Sequence, residues 1–150
     1  VNNVMNKKIF LFISIGVYII SLTQKSYCSS FGACDNYGFL SLIIGWMGVF
    51  MLHIPAFPWL ANPILLASWI LFRKKPKISY TLCIIAFILM LSFLLVDEII
   101  SNEAGTTSKV VFYGLGYWLW LLSSFIMIVG NIIFKKRDKK LNQTDLKKAI

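Results

Sequence analysis

The sequence predicts an all-α, polytopic integral membrane protein of about four transmembrane helices, with one segment that is re-entrant or broken by proline. Hydrophobic residues make up 58% of the chain and charged residues 14%, against about 45–50% and about 25% in soluble domains. One run, residues 38–72, contains no Lys, Arg, Asp or Glu. The basic residues stand in the short gaps between such apolar blocks, as they do in cytoplasmic loops of membrane proteins.

The first predicted helix covers about residues 9–24. Its apolar block follows Lys7 and Lys8, and at about 1.5 Å per residue the block with its flanks just reaches across a ~30 Å hydrocarbon core. A basic start before a short apolar run also describes a signal peptide. No A-x-A cleavage site follows the block, so the sequence favours an uncleaved helix, with cleavage as the open alternative.

The second predicted segment, residues 38–72, is too long for one straight helix, which would measure about 52 Å. Pro55, Pro58 and Pro63 fall inside it, and each removes a backbone donor. We therefore expect a break near residues 53–63 and one net crossing. Either the first half is re-entrant from the outer face and the second half completes the crossing, or the first half crosses and the second is re-entrant from inside.

Two further helices are predicted at residues 78–96 and 113–134, each of a length that matches one crossing. Polar loops of residues 23–37 and 97–112 separate the crossings on one side. The chain is thus expected to form a single transmembrane domain, residues 1–134, followed by a basic cytoplasmic tail, residues 135–150.

The charge distribution predicts the orientation. The amino end, the loop at residues 73–77 and the tail hold 13 of the 15 basic residues, which places both termini in the cytoplasm of a multi-pass protein of the cell's inner membrane. This placement argues against nucleic acid as a partner. We expect membrane lipids to attract the tail, at about 1 kcal/mol per basic residue near the surface; its first basic residues are Lys135, Lys136, Arg137, Lys139 and Lys140.

Two residues at the expected break are candidates for binding a ligand or ion. His53 is the only histidine, and it is either a polar group bonded to backbone freed by Pro55 or an ionisable group with a role inside the membrane. Asn62 precedes Pro63 and is either a helix cap or part of a small-ligand site at a half-helix terminus. One histidine cannot supply the three or four ligands of zinc, and the sequence predicts no metal and no cofactor.

Three small residues in the last helix, Gly116, Ser123 and Gly130, recur every seven positions. Small residues along one helix face let another helix approach closely, so we expect a helix-packing face here. Asp97 and Glu98 form the only adjacent acid pair. They are interpreted as the water boundary of the third crossing, since neighbouring residues of a helix point in different directions.

Cys28 and Cys34 lie in the first outer loop. In an oxidising compartment such a pair can form a disulfide, but spacing alone does not decide whether it does. Both states remain open at this point. The third cysteine, Cys83, falls in an apolar block and is expected to be an inert thiol.

Two stretches carry a resemblance to a known group of proteins. These are Gly45-Trp46-Met47-Gly48 through Trp59-Leu60-Ala61-Asn62-Pro63, and Tyr113-Gly114-Leu115-Gly116-Tyr117-Trp118-Leu119-Trp120. They look like small bacterial four-helix membrane proteins of unknown function, over residues 34 to about 134. The resemblance implies a bacterial inner-membrane setting and supplies no activity.

Two function classes follow. The first is a non-catalytic, membrane-embedded interaction protein: a subunit, a regulator or an immunity-type protein whose partner is another membrane protein or a second copy. The second is a small transporter or channel component that uses the helix break around His53 and Asn62. An enzyme acting through Asp97 and Glu98 is a more distant alternative, and the chain is expected not to be an enzyme.

Overall fold

A computed structural model describes residues 2–30, 34, 36–52, 54–100 and 106–148, and the side chains of residues 8–30, 34, 36–52, 54–99 and 106–135. The chain is mostly helical, at 75%. Its five α-helices in these ranges are α1 (Asn2–Thr23), α2 (Gly38–Phe50), α3 (Ala61–Leu71), α4 (Pro76–Ser92) and α5 (Leu115–Lys148). Two 3-10 segments, Ile54–Leu60 and Phe93–Leu95, precede α3 and follow α4.

Three helical stretches among the described residues are long and apolar enough to cross a membrane. They are Ile54–Leu71, Pro76–Leu95 and Leu115–Lys135, with mean hydropathies of 1.4, 2.5 and 1.8. The described apolar part of α1, Lys8–Thr23, and α2 are shorter. α5 continues past residue 134, so the predicted basic tail begins as part of the last helix.

The segment 38–72 is divided, but the division begins after Phe50, just before the predicted break at residues 53–63, and Pro63 lies inside α3 without interrupting it. α2 ends at Phe50, and Leu52 adopts a left-handed backbone with φ of 55°, a conformation that ends helices. The chain then enters the first 3-10 segment, where Pro55 and Pro58 lack the N–H of a continuous α-helical ladder. Leu60 is helical in φ and ψ and joins that segment directly to α3. The crossing-length helix is therefore the second half, Ile54–Leu71, and α2 is the separate shorter piece.

The prediction that Asn62 caps a helix is wrong. The N-cap position of α3 is Leu60, and no side chain caps it. Because the 3-10 segment already supplies helical backbone before α3, the amide of Asn62 is free for contacts with other helices.

A four-stranded antiparallel sheet closes one end of the helices, which the all-α prediction missed. Its strands are β1 (Lys25–Ser29), β2 (Asn36–Tyr37), β3 (Glu98–Ile100) and β4 (Thr107–Tyr113), in the order β2-β1-β4-β3. β1 leaves α1 and β4 leads into α5, and Tyr27 lies opposite Tyr113. Since α1 and α5 are packed neighbours, the segments beyond their ends run side by side and pair their backbone groups.

Glycines make the junction of the helices with the sheet tight. A Cβ at Gly116 would lie 2.8 Å from the Gln24 carbonyl oxygen, and one at Gly38 would lie 2.6 Å from the Ser21 oxygen. Gly114 faces the Lys25 carbonyl in the same way. Side chains at these positions would push the strands off the end of α1.

The bundle formed by α1, α3, α4 and α5 has an apolar core with small polar residues buried beside it, and a largely apolar outer face. The core includes Leu65, Trp69, Phe72, Met90 and Met127. The buried polar residues in the described part of the chain include Ser14, Asn62, Ser68, Ser79 and Asn131. Large apolar residues face outward on every helix; examples are Phe12, Ile19, Ile70, Ile88, Leu122 and Phe125. A water-soluble bundle carries mainly polar side chains on its outer face instead.

Candidate functional site

Asn62 joins three helices at the centre of the bundle. Its side-chain oxygen accepts a hydrogen bond from the Tyr18 hydroxyl of α1 at 3.0 Å and from the Trp120 indole N–H of α5 at 2.9 Å. Its NH2 group donates to the Trp59 carbonyl at 3.0 Å, one turn earlier in its own segment. The side chain is 7% exposed. In this arrangement the amide oxygen connects α3 to α1 and α5, while the NH2 group is bonded within its own segment.

A second polar contact lies between α1, α3 and α5. The Trp69 indole N–H donates to the Ser14 hydroxyl at 3.0 Å, and that hydroxyl donates to the Ser123 carbonyl at 2.7 Å. Ser14 and Ser123 are both fully buried. Ser14 therefore acts as acceptor and donor at once, and connects α1 to both neighbouring helices.

A third polar contact joins α3 to α4. The Ser79 hydroxyl donates to the Ser68 carbonyl at 2.9 Å, and the Ser68 hydroxyl lies 3.1 Å from the Ser79 carbonyl. Asn131 of α5 donates to its own helix at the Met127 carbonyl and reaches the Ser79 hydroxyl at 3.4 Å. The Asn131 side-chain oxygen is buried without a hydrogen-bond partner in the described structure. The reciprocal serine pair lets α3 and α4 approach closely, as small polar residues do in membrane bundles.

The predicted small-residue face of the last helix is turned toward α1. A Cβ at Gly130 would lie 3.0 Å from the Phe10 Cβ, the Ser123 carbonyl accepts the bond from Ser14, and Gly116 packs on the end of α1. This face is therefore occupied within the chain. It brings two helices of one molecule together, rather than offering a surface to another molecule.

The other sequence candidates that the structure describes lie apart from this interior. His53 is outside the described residues, so the predicted pairing of His53 with Asn62 at one site is not described. Glu98 lies in β3, opposite Lys109 of β4, which places opposite charges across the sheet. Among the described residues, no group of three or more His, Cys, Asp or Glu is placed to hold a metal ion.

An aromatic cluster packs the sheet against the helices, and a disulfide joins β1 to the residues that precede β2. The Phe93 ring, after α4, contacts the rings of Tyr27 in β1 and Tyr113 in β4, with centroids 5.7 Å away in both cases. Cys28 and Cys34 are joined by a disulfide, with their Cα atoms 4.2 Å apart. Burial raises the pKa of both strand tyrosines; a hydrogen bond with Ser41 partly offsets the shift of Tyr27, and the Asp97 charge adds to that of Tyr113.

α2 and the first 3-10 segment form an antiparallel pair, which we call the hairpin (residues 38–60). A Cβ at Gly48 would lie 2.6 Å from the Ala56 Cβ, and Gly45 packs against the Trp59 ring. The Trp59 indole N–H donates to the Leu42 carbonyl at 2.8 Å. Later residues of α2 thus meet earlier residues of the 3-10 segment, so the two pieces run in opposite directions.

One face of α2 is left uncovered. None of its residues is buried, and its outward face consists of large apolar side chains: Phe39, Leu40, Ile43, Ile44, Trp46, Met47 and Phe50, with exposures from 37% to 80%.

Comparison of the chain with protein-family models, curated proteins and solved structures finds no match. The resemblance to small four-helix bacterial membrane proteins therefore stays a prediction.

The sequence analysis identified Asn62 and the small-residue face but missed the other polar residues of the bundle interior. Ser14, Ser68, Ser79 and Asn131 are isolated polar residues inside apolar blocks. Polar groups in such blocks are costly unless they face the interior of the bundle. That isolation was a usable signal; which helix each one faces was not encoded in any local pattern.

Proposed function

We propose that this chain is an integral protein of a bacterial inner membrane that crosses it four times, through α1 and the three crossing-length helices. What supports this is the apolar outer face of the bundle together with the polar contacts between its helices. The bundle buries serine and asparagine beside its apolar core and exposes large residues such as Phe12, Ile70 and Ile88, which is favourable when lipid surrounds the bundle.

Charge supports an orientation with the sheet outside and both termini in the cytoplasm. Lys8 of α1, the Arg73–Lys77 stretch between α3 and α4, and Lys135 of α5 all belong to the end of the bundle opposite the sheet. Asp97 and Glu98 stand at the sheet end. The positive-inside rule assigns the basic end to the cytoplasm, and an outer location for the Cys28–Cys34 disulfide agrees with an oxidising compartment.

We further propose that the protein is a non-catalytic interaction protein that presents the outer sheet to another polypeptide. The single observation that carries this is the exposure of two adjacent large apolar residues of β4, Val111 at 68% and Phe112 at 62%. Val111 is the extra residue between the pairs Cys28–Phe112 and Ser29–Val110, a β-bulge of the kind that redirects side chains. A partner that covers Val111 and Phe112 would remove both apolar side chains from water, which favours binding.

The bundle itself acts as a support in this proposal. Its principal buried polar side chains, Asn62, Ser14, Ser68 and Ser79, are bonded to other helices, which holds the helices in fixed positions. A rigid base of this kind keeps the sheet in one pose toward a partner, which reduces the entropy lost on binding.

Photo-crosslinking in cells tests this proposal. A benzoylphenylalanine introduced at Phe112 should give one protein adduct of defined mass, because this side chain faces the partner. The matched control is Phe125, an equally large residue that is 49% exposed in the middle of the crossing-length stretch Leu115–Lys135 and is expected to face lipid and give no protein adduct. Absence of an adduct at both Val111 and Phe112 in correctly inserted protein would contradict the interaction role.

A further inference from the structure

The position of α2 relative to the crossing helices can be worked out from its contacts. Gly38, at its start, packs on Ser21 and Leu22 in the last turn of α1, next to the sheet. Gly45 and Gly48 pack on the first 3-10 segment, which is the beginning of the crossing Ile54–Leu71. At about 2.0 Å per residue this segment measures about 14 Å, less than half of a ~30 Å hydrocarbon core.

Both contacts therefore lie in the half of the bundle next to the sheet. α2 has 13 residues, about 20 Å of helix, and both its start at Gly38 and its later residues Gly45 and Gly48 are held in that half by these contacts. α2 cannot reach the basic end of the bundle. With the orientation proposed above, it lies at the depth of the outer leaflet and does not cross the membrane.

The chemistry of the outward face of α2 identifies what covers it. That face carries neither charge nor a small side chain. Helices that pack on one another in membranes use small residues to let their backbones approach, and the small residues of α2, Gly45 and Gly48, are already turned toward Trp59 and Ala56. A face of large, flexible and aromatic side chains fits acyl chains instead.

We infer that α2 is an outer-leaflet anchor: its outward face contacts the acyl chains of the outer leaflet, while its glycine face holds the crossing helix Ile54–Leu71. This inference rests on the proposed membrane embedding and is independent of the proposed partner of the sheet. In this inference, lipid covers the largest exposed apolar surface of the hairpin, the outward face of α2. It also predicts that the protein occupies more area in the outer leaflet than in the inner one.

Spin labels in liposomes test the inference. Single cysteines are introduced at Ile43 or Ile44 in a Cys83→Ala background, labelled with a nitroxide, and measured for collision with oxygen and with a water-soluble nickel chelate. Phe125, ten residues into α5, is the deep control, and Thr107, exposed in β4, is the aqueous control. Size-exclusion elution and helicity equal to those of the native chain are required of every variant.

The expected result is an oxygen-to-nickel collision ratio at Ile43 and Ile44 that is shifted well above the Thr107 value and stays below the Phe125 value. A ratio equal to that of Thr107 would place α2 in water and overturn the inference. Low collision with both reagents, with spin–spin broadening, would show that a second copy covers the face, and would overturn it as well. If Phe125 itself gave the aqueous ratio, the membrane crossing would fail and the anchor with it.

Discussion

Replacing Asn62 tests whether the polar contacts hold the bundle together. Asn62→Leu keeps a side chain of similar size and removes three hydrogen bonds, those from Tyr18 and Trp120 and that to the Trp59 carbonyl. Hydrogen bonds between helices in membranes contribute about 0.6 kcal/mol each on average, with a maximum of about 1.7. Two of the three bonds join different helices, so we expect the free energy of unfolding to fall by about 1 kcal/mol.

The smaller variant Tyr18→Phe removes only one of the three bonds, so its expected cost is about 0.6 kcal/mol. In the Asn62→Leu background the same change should cost nothing, because the Tyr18 hydroxyl has by then lost its acceptor. Thr81→Val is the control for a polar-to-apolar change: Thr81 is exposed and bonds only within its own helix, to the Lys77 carbonyl. Its expected effect is close to zero.

Unfolding by sodium dodecyl sulfate in mixed micelles, followed by tryptophan fluorescence, gives these free energies. Two results would refute the reasoning. One is an Asn62→Leu variant as stable as the native protein. The other is full additivity of Asn62→Leu and Tyr18→Phe, which would mean that the two side chains do not interact in the folded state.

Further predictions concern packing, pH and topology. Gly116→Ala should destabilise the protein by about 1–3 kcal/mol because its Cβ would meet backbone oxygens. Gly16→Ala is the control: with open space around its Cβ, it should be neutral or stabilise the protein by up to about 1 kcal/mol. The same micelle titration compares the two variants. Because burial raises the pKa of the strand tyrosines, the unfolded chain loses those protons first, near pH 10. The contribution of these two tyrosines to the free energy of unfolding should then be constant below about pH 10 and be lost as pH rises through their higher folded pKa values. Tyrosinate absorbance is the readout, and no loss of stability in that range is the contrary result. A membrane-impermeant maleimide applied from outside should label Lys109→Cys and spare Lys139→Cys; labelling of both, or of the second alone, would contradict the proposed topology. Without reductant, mass spectrometry of alkylated protein should find the Cys28–Cys34 pair unmodified, and alkylation of both would contradict the disulfide seen in the structure.

The sequence alone determined the features that depend on composition and on single residues. The apolar blocks predicted the positions of the helices, because helix length and burial in lipid are set by hydrophobicity summed over about twenty residues. The prolines at positions 55, 58 and 63 predicted that residues 38–72 could not form one helix, since each removes a backbone donor wherever the chain folds; the third of them lies in the first turn of α3. The stripe of small residues in the last helix predicted a packing face for the same kind of local reason.

Only the tertiary structure decided which elements meet. In the structure the small-residue stripe faces α1, and the Asn62 side-chain oxygen accepts hydrogen bonds from Tyr18 and Trp120. Two segments that the sequence analysis interpreted as loops form a sheet. The tertiary structure also packed α2 back on the 3-10 segment and made Ile54–Leu71 the stretch of crossing length within residues 38–72. These outcomes depend on contacts between residues tens of positions apart, such as 18 with 62 or 27 with 113. No local sequence pattern determines such contacts, because they contribute to stability only when the helices are assembled.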